Sequence, residues 1–468
     1  MTQQVAIDDI ADLPGLVPAP RYICTATPHP INATWESLVV TQHRVTDIPL
    51  PSHWEWNEPL AQWQQDESYR LRCANGQVEI YATTEVGAFR ARRRLDVLRQ
   101  CADEAEVPHS FDLVDAPCYR HRGLSVDIVR HFFGLDTLIP LLDLMADVAL
   151  NVLHLHLSDD QGWRYEVPQL PALTEISGHT AVGEATGGYL SQADLDTLVE
   201  QAHCRHIQVI PEVDIPGHTN AALHALPGLN PNGQCPPAYK GIEVGFSTLS
   251  TAAPDTELFL HAAIDALIPH SQAGIHIGGD ESFSTTEGDY EAIVRMAAAR
   301  VRAHGQRVIG WQESAPYLEA GDLVQIWDPR LDPTQVIEAT QRGVGVIVSY
   351  AHHAYLDMKQ VDDESIGLDW AGIVPLAKSL QWDSRTVVAE LPAEAIEGVE
   401  ACLWTETVEN SAHFGELVLP RLHGIAEVAW RGSAVGQWAS FRRRIAGFSR
   451  LWRARGWNYF PSAGVDWA

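Results

Sequence analysis

Two adjacent acids, Asp280 and Glu281, follow a pair of glycines at the end of a short β-branched run in AGIHIGGDES, residues 273–282. Carboxyl groups supply general acids, general bases and nucleophiles, so the question is what a side-by-side pair can do. Ordinary glycosidases set two carboxyl groups across the scissile bond, about 5 Å apart for retention or roughly 6.5–9.5 Å for inversion. Neighbours near a strand end send their side chains in divergent directions and cannot easily flank one bond from opposite faces. They can instead serve adjacent parts of one sugar. One protonates the leaving oxygen while the other holds a substituent beside the anomeric carbon, which suits a reaction whose nucleophile belongs to the substrate. The glycines let backbone and substrate approach closely.

Other short apolar runs also end in residues capable of chemistry: Asp127 and Arg130; Asp159 and Asp160; Glu212, Asp214 and His218; Trp311; Trp327; Tyr355 and Asp357; Trp404 and Glu406. One acid at a strand end means little, because helix N-caps favour acids. Eight such ends converging on one rim mean more. The chain has 15 tryptophans, whose faces suit the apolar C–H faces of sugar rings, although a single Trp is ordinarily core. Trp311, Trp327 and Trp404 share one position at the ends of three strands, which favours a pocket wall. Carboxylates with tryptophans point to glycoside hydrolysis.

The elements that must position these residues recur after residue 118. Eight β-branched runs, at 122–129, 151–160, 207–214, 274–282, 307–314, 323–328, 344–353 and 398–407, alternate with stretches of helical period such as LDTLIPLLDLMADVA and YEAIVRMAAARVRAH. That alternation predicts an α/β fold, a (β/α)8 TIM barrel over residues 118–468. Only about eight residues separate the fifth and sixth runs, too few for a helix with its connections, so a doubly wound open sheet stays as the alternative. Ahead of a composition break near 105–120, VTQHRVTDIPL and GQVEIYATTEVGAFRARRRLDVLRQC predict a small α+β domain over residues 1–117.

Composition narrows the partners. The formal charge of −29 in 468 residues repels phosphate backbones and anionic lipid, so neither nucleic acid nor membrane is expected, and a neutral ligand fits. No apolar run approaches the ~18 residues of a membrane span. The N-terminus lacks the basic and apolar regions of a secretory signal, which predicts a cytoplasmic protein or one whose leader has been removed. Seven scattered cysteines with no CxxC favour reduced thiols over a disulfide framework or structural zinc.

HIGGDE at 276–281 resembles the signature of glycoside hydrolase family 20, the β-N-acetylhexosaminidases. HRGLSVDIVRHFF (121–133), HLHLSDDQGWR (154–164), PEVDIPGHTNAAL (211–223), GWQES (310–314), YLDMK (355–359), LDWAG (368–372) and LWTET (403–407) each resemble a family motif, in the family's order. The resemblance implies an exo-acting, retaining enzyme without cofactor or metal, in which the acetamido oxygen attacks C1 to form an oxazolinium. It implies that Glu281 is the general acid and then base, that Asp280 holds the acetamido N–H in ionised form, and that Tyr355 donates to the acetamido oxygen. Trp311, Trp327 and Trp404 would enclose the methyl group, and Trp370 would stack under the ring. Arg122 would clamp O3 and O4, Asp357 and Glu406 would bind O4 and O6, and Asp160 with His218 would orient Glu281. Glu281 must then be protonated near neutral pH, which requires burial and a neighbouring negative charge.

Other readings remain open from the sequence. His154 and His156 have metal-ligand spacing but are expected to be core, and Arg130 and His131 to fix the first βα loop. His352 and His353 read as loop or supporting residues, and His218 could be only a turn residue. A sugar-binding protein without chemistry, a two-carboxylate glycosidase with Asp160 or Glu212 as nucleophile, and a metal-dependent amide hydrolase are the competing functions.

Overall fold

A computed structural model describes residues 13–24, 34–52, 54–102 and 110–468. Most of the N-terminal segment read as lacking a leader, residues 1–12, lies outside them, as does part of the composition break.

The first unit is a five-stranded sheet of β1 (Tyr22–Cys24), β2 (Val39–Arg44), β3 (Tyr69–Ala74), β4 (Gln77–Ala82) and β5 (Phe111–Asp115), in the order β1-β5-β3-β4-β2. Asn75 and Gly76, with φ of 52° and 75°, form the two-residue turn between β3 and β4, the positive-φ pair that right-twisted hairpins need. Alternation in β3 and β4 buries Leu71, Cys73, Val78 and Ile80. The Glu85–Cys101 helix covers that face with Ala88, Ala91, Leu95 and Leu98, and Thr84 caps its start by accepting from Gly87 N–H.

The barrel begins with β6 (His121–Asp127) and β7 (Val152–His156), followed by the small hairpin β8 (Ser158–Asp159) and β9 (Gly162–Trp163). It continues with β10 (Gln208–Glu212), β11 (Ile275–His276), β12 (Val308–Trp311), β13 (Leu323–Ile326), β14 (Gly345–Val348) and β15 (Ile396–Leu403). Each of the eight expected runs supplies one strand. β15 pairs in parallel with β6, from Gly398 opposite His121 to Leu403 opposite Val126, which closes the barrel and removes the open-sheet alternative. Between β12 and β13 the chain makes only a 3₁₀ turn, Gln312–Tyr317, with Pro316 inside it. The short spacing there leaves no room for an α-helix.

The barrel interior is polar along one column. Gly123 on β6 lies opposite Glu400 on β15, and a Cβ on Gly123 would fall 2.2 Å from Glu400 Oε2. Only a bare backbone leaves space for that carboxylate. At the other end of the strands Asp127, His156, Glu212 and His276 sit at one level on β6, β7, β10 and β11, each Cα-paired with the next. Among the described residues no helix is long and apolar enough to cross a membrane.

Candidate active site

The turn that follows β11 shows why the glycines precede the acids. Gly278 and Gly279 have φ of 68° and 111°, and Cβ atoms there would lie 1.7 Å from Asp214 Oδ1 and 2.9 Å from Tyr290 Oη. Asp214 Oδ1 accepts from Gly279 N–H at 3.0 Å, and Tyr290 Oη donates to Gly279 O at 2.6 Å. The fixed turn puts Asp280 and Glu281 at the C-terminal mouth of the barrel. Glu281 itself has φ of 45°, a left-handed conformation that a non-glycine residue adopts only where its surroundings enforce it.

Both acids line a cavity of about 290 Å³, with Tyr355, Trp327, Trp370 and Trp404 among its other walls. Trp327 and Tyr355 lie nearly parallel, their centroids 6.2 Å apart at 9°, and Trp370 meets Tyr355 edge-on at 5.8 Å. Burial keeps the Tyr355 phenol protonated well past its usual range, so it is a hydrogen-bond donor.

Behind Glu281 runs a file of closely spaced titratable side chains. His218 Nε2 is 3.6 Å from Glu281 Oε2 and 3.8 Å from Asp280 Oδ2, while its Nδ1 is 3.1 Å from Asp159 Oδ1. Asp159 Oδ2 meets His156 Nε2 at 2.9 Å and Arg130 Nη2 at 2.7 Å. His156 Nδ1 bonds Glu212 Oε2 at 2.7 Å, and His154 bridges Glu212 and Glu400 at 3.2 and 2.9 Å. Burial alone would raise Asp159, but Arg130 and His218 hold it well below the usual carboxylate range. Burial would lower His218, yet Asp159 and Asp214 raise it far above an ordinary imidazole. Its surroundings therefore favour the charged imidazolium form of His218. Burial raises Glu281, partly offset by His218 and Arg130, which keeps a proton on the residue placed to give one away.

The surroundings of Asp280 oppose the ionised form expected of it. Burial, then the adjacent Asp214 carboxyl, push it well above the usual range against the pull of His218. Asp214 is raised by burial in the same way, so the two neighbouring carboxyls favour a single negative charge shared between them. Asp280 Oδ1 and Asp214 Oδ2 are buried without hydrogen-bond partners, as are both oxygens of Asp357 and Oε2 of Glu406. Buried acceptors left open at one cavity form a site built for a ligand rich in N–H and O–H donors.

Three expected site residues lie elsewhere. Arg122 is the second residue of β6, at the N-terminal end of the barrel, opposite the mouth. It bonds Glu67 Oε2 at 2.6 Å and the carbonyls of Tyr119 and Ala149, and its guanidinium lies 5.1 Å from the Trp430 ring centroid. It fastens the first unit to the barrel. Arg130, three residues past the end of β6, lines the cavity instead, as does Arg330, and Arg130 also pairs with Asp127 at 3.4 Å. Asp160 does not line the cavity and accepts from Asn220 N–H at 2.9 Å and Ser247 Oγ at 2.5 Å; its neighbour Asp159 makes the hydrogen bond to His218. Trp311 is wholly buried behind the wall, donating its indole N–H to Glu212 Oε1 at 2.8 Å, with Trp404 5.9 Å away. Trp370 is at the mouth, 40% exposed and 5.1 Å from the Arg330 guanidinium.

Neither Asp160 nor Glu212 lines the cavity, so neither has a nucleophile's position. His154, Glu212 and His276 come close enough to hold a metal ion, but both nitrogens of His154 and of His156 already face carboxylates. Sequence reasoning passed over Glu313, whose Oε1 accepts from Glu281 N–H at 3.4 Å and whose Oε2 accepts from Trp327 Nε1 at 3.2 Å. Its place at the end of β12, in GWQES, was the available signal.

A closed parallel barrel with adjacent acids and an aromatic cavity at its C-terminal mouth defines the class of barrel glycosidases. Comparison with known proteins refines this. The family model described as "Glycosyl hydrolase family 20, catalytic domain" matches residues 119–298 and 284–433. A β-N-acetylhexosaminidase of Cellulomonas fimi is 40% identical over 405 residues, spanning 86% of this chain and 82% of that protein. The solved structure of a GH20 β-N-acetylhexosaminidase from Streptomyces coelicolor A3(2) superposes with a TM-score of 0.87 at 32% identity, covering 97% of this chain and 99% of that one. A Streptomyces plicatus β-hexosaminidase variant, solved with its product GlcNAc, gives 0.86 at 33% identity, covering 97% and 98%. The chain belongs to glycoside hydrolase family 20 and is a hydrolase of the β-N-acetylhexosaminidase type.

Proposed function

We propose that this enzyme removes terminal β-linked GlcNAc and GalNAc with retention, the acetamido oxygen of the substrate acting as nucleophile. Asp280 beside the Trp327–Tyr355–Trp404 pocket, with Glu281 facing His218, carries this reading. In the first step the acetamido oxygen bonds to C1 as the C1–O bond to the leaving group breaks, and Glu281 gives its proton to the departing oxygen. The acetamido N–H then bears positive charge, which Asp280 balances as a carboxylate while the proton of the pair resides on Asp214, and Tyr355 aligns the attacking oxygen. Water next attacks C1 as the bond between C1 and the acetamido oxygen breaks, restoring the acetamide, and the water gives a proton to the Glu281 carboxylate, so acid and base roles close the cycle. Arg130, Asp357 and Glu406 offer one cation and several open acceptors for the sugar hydroxyls, and a cavity of about 290 Å³ suits a single ring at the chain end.

Chromogenic β-GlcNAc, β-GalNAc and β-glucose substrates compared side by side test the reading. Turnover of the two amino sugars and inhibition by a thiazoline mimic of the cyclic intermediate are expected. Comparable turnover of the plain glucoside would remove it.

A further inference from the structure

The 3₁₀ turn that replaces a barrel helix, Gln312–Tyr317, holds a carboxyl group with no task in the reaction above. Glu313 sits between two parts of the site that come from different strands. One oxygen accepts from the main-chain N–H of Glu281, the residue held at φ 45°, and the other from the indole N–H of Trp327 at the end of β13. The neighbouring Gln312 accepts from the main-chain N–H of the same tryptophan at 3.3 Å. Both donors of Trp327 thus end on this turn.

We infer that Glu313 is a positioning residue: it ties the left-handed backbone of the Glu281 acid to the Trp327 wall, so that the acid stands in fixed register with the sugar in the aromatic pocket. The inference rests on Glu281 being the general acid. A left-handed glutamate returns toward ordinary backbone angles unless held, and its N–H is one of the few handles by which it can be held. A carboxylate suits the task because it has two acceptors and no obligatory donor. A glutamine offers one acceptor, and its amide nitrogen would face an N–H, so it can keep only one of the two bonds. The short turn sets the distance. A helix of ordinary length after β12 would carry the next polar side chains away from the mouth.

Aryl β-GlcNAc substrates of graded leaving-group acidity separate this role from a merely structural one. A dinitrophenolate departs without protonation, whereas a 4-methylumbelliferyl or alkyl group needs the acid. For E313A, kcat/KM is expected to fall ~100-fold on the poor leaving groups, the size of loss that a displaced catalytic group produces, and only a few-fold on dinitrophenyl β-GlcNAc. E313Q should fall between E313A and the unaltered enzyme, and serves if E313A does not fold. Equal losses across the series, or no loss in either variant, would overturn the inference. E281Q run in parallel keeps the two claims apart. If E281Q shows the leaving-group dependence and the Glu313 variants do not, only the role of Glu313 fails. If E281Q itself lacks the dependence, the acid assignment fails and takes this inference with it.

Discussion

His218 Nε2 stands 3.6 Å from Glu281 Oε2 with its other nitrogen on Asp159, so a buried imidazole that favours its charged form faces the acid and acts on it through that charge. Its charge lowers the pKa of Glu281 against the lift of burial. Replacing His218 by Asn removes that pull, and the pKa of Glu281 rises. The protonated acid is the active form, so the alkaline limb of the kcat/KM profile should move to higher pH. An accompanying ~10–100-fold loss of kcat is expected from the freed carboxyl. A limb that stays in place would show that His218 does not act on Glu281.

Asp280→Asn should cost more than Asp280 binding alone explains. The amide keeps a hydrogen-bond acceptor but cannot supply negative charge as the acetamido nitrogen becomes positive. A ~100–1,000-fold fall in kcat with little change in KM is expected for lost transition-state charge stabilisation. A KM effect alone would mean that Asp280 only holds the ground state.

Arg130 and Arg122 should behave in opposite ways. Arg130→Lys touches the cavity and the Asp159 pair, so kcat/KM should drop while thermal stability changes little. Arg122→Ala leaves Glu67 and two carbonyls short of their donor at the far end of the barrel. About 1–3 kcal/mol of stability should be lost, since buried acceptors lose their donor while Arg90 still faces Glu67 at 3.2 Å, with KM nearly unchanged. Differential scanning calorimetry and steady-state kinetics on both variants check this.

Stability should also fall at alkaline pH. Burial opposes their charge, but Glu212 and Glu400 raise His154 to about 9, and Glu212 with Asp159 raises His156 to about 10. Because the folded values exceed the unfolded value of about 6.5, their contribution is full below that pH and is lost as pH rises through the folded values. The thermal midpoint should decline between pH 8 and about 10. A His156→Gln variant should show a shallower decline; an identical slope would contradict the assignment.

The barrel was legible because each strand is a β-branched run ending in a polar cluster, and the missing helix because eight residues cannot hold one. What the sequence hid was direction. HRGLSVDIVRHFF contains two arginines, and only the strand's bounds, His121–Asp127, put Arg122 at the floor and Arg130 at the mouth. Asp159 and Asp160 are adjacent, and what separates them is their partners, His218 for the first and Asn220 and Ser247 for the second, contacts that no periodicity reveals. Trp311 stands at a strand end like Trp327 and Trp404, but its indole N–H is drawn inward by Glu212. The proton state of Asp280 depends on Asp214, 66 positions earlier in the chain, and so could not be read from the acid pair alone.

The most direct test of a substrate-borne nucleophile alters that nucleophile and nothing else. Aryl β-glucosaminides carrying N-acetyl, N-fluoroacetyl, N-difluoroacetyl and N-trifluoroacetyl groups present carbonyl oxygens of falling nucleophilicity at nearly constant shape. Here kcat/KM should drop steeply along the series, by ~1,000-fold or more overall, as expected when bond formation by that oxygen is part of the transition state. A flat series would mean that the attacking atom comes from the protein or from water.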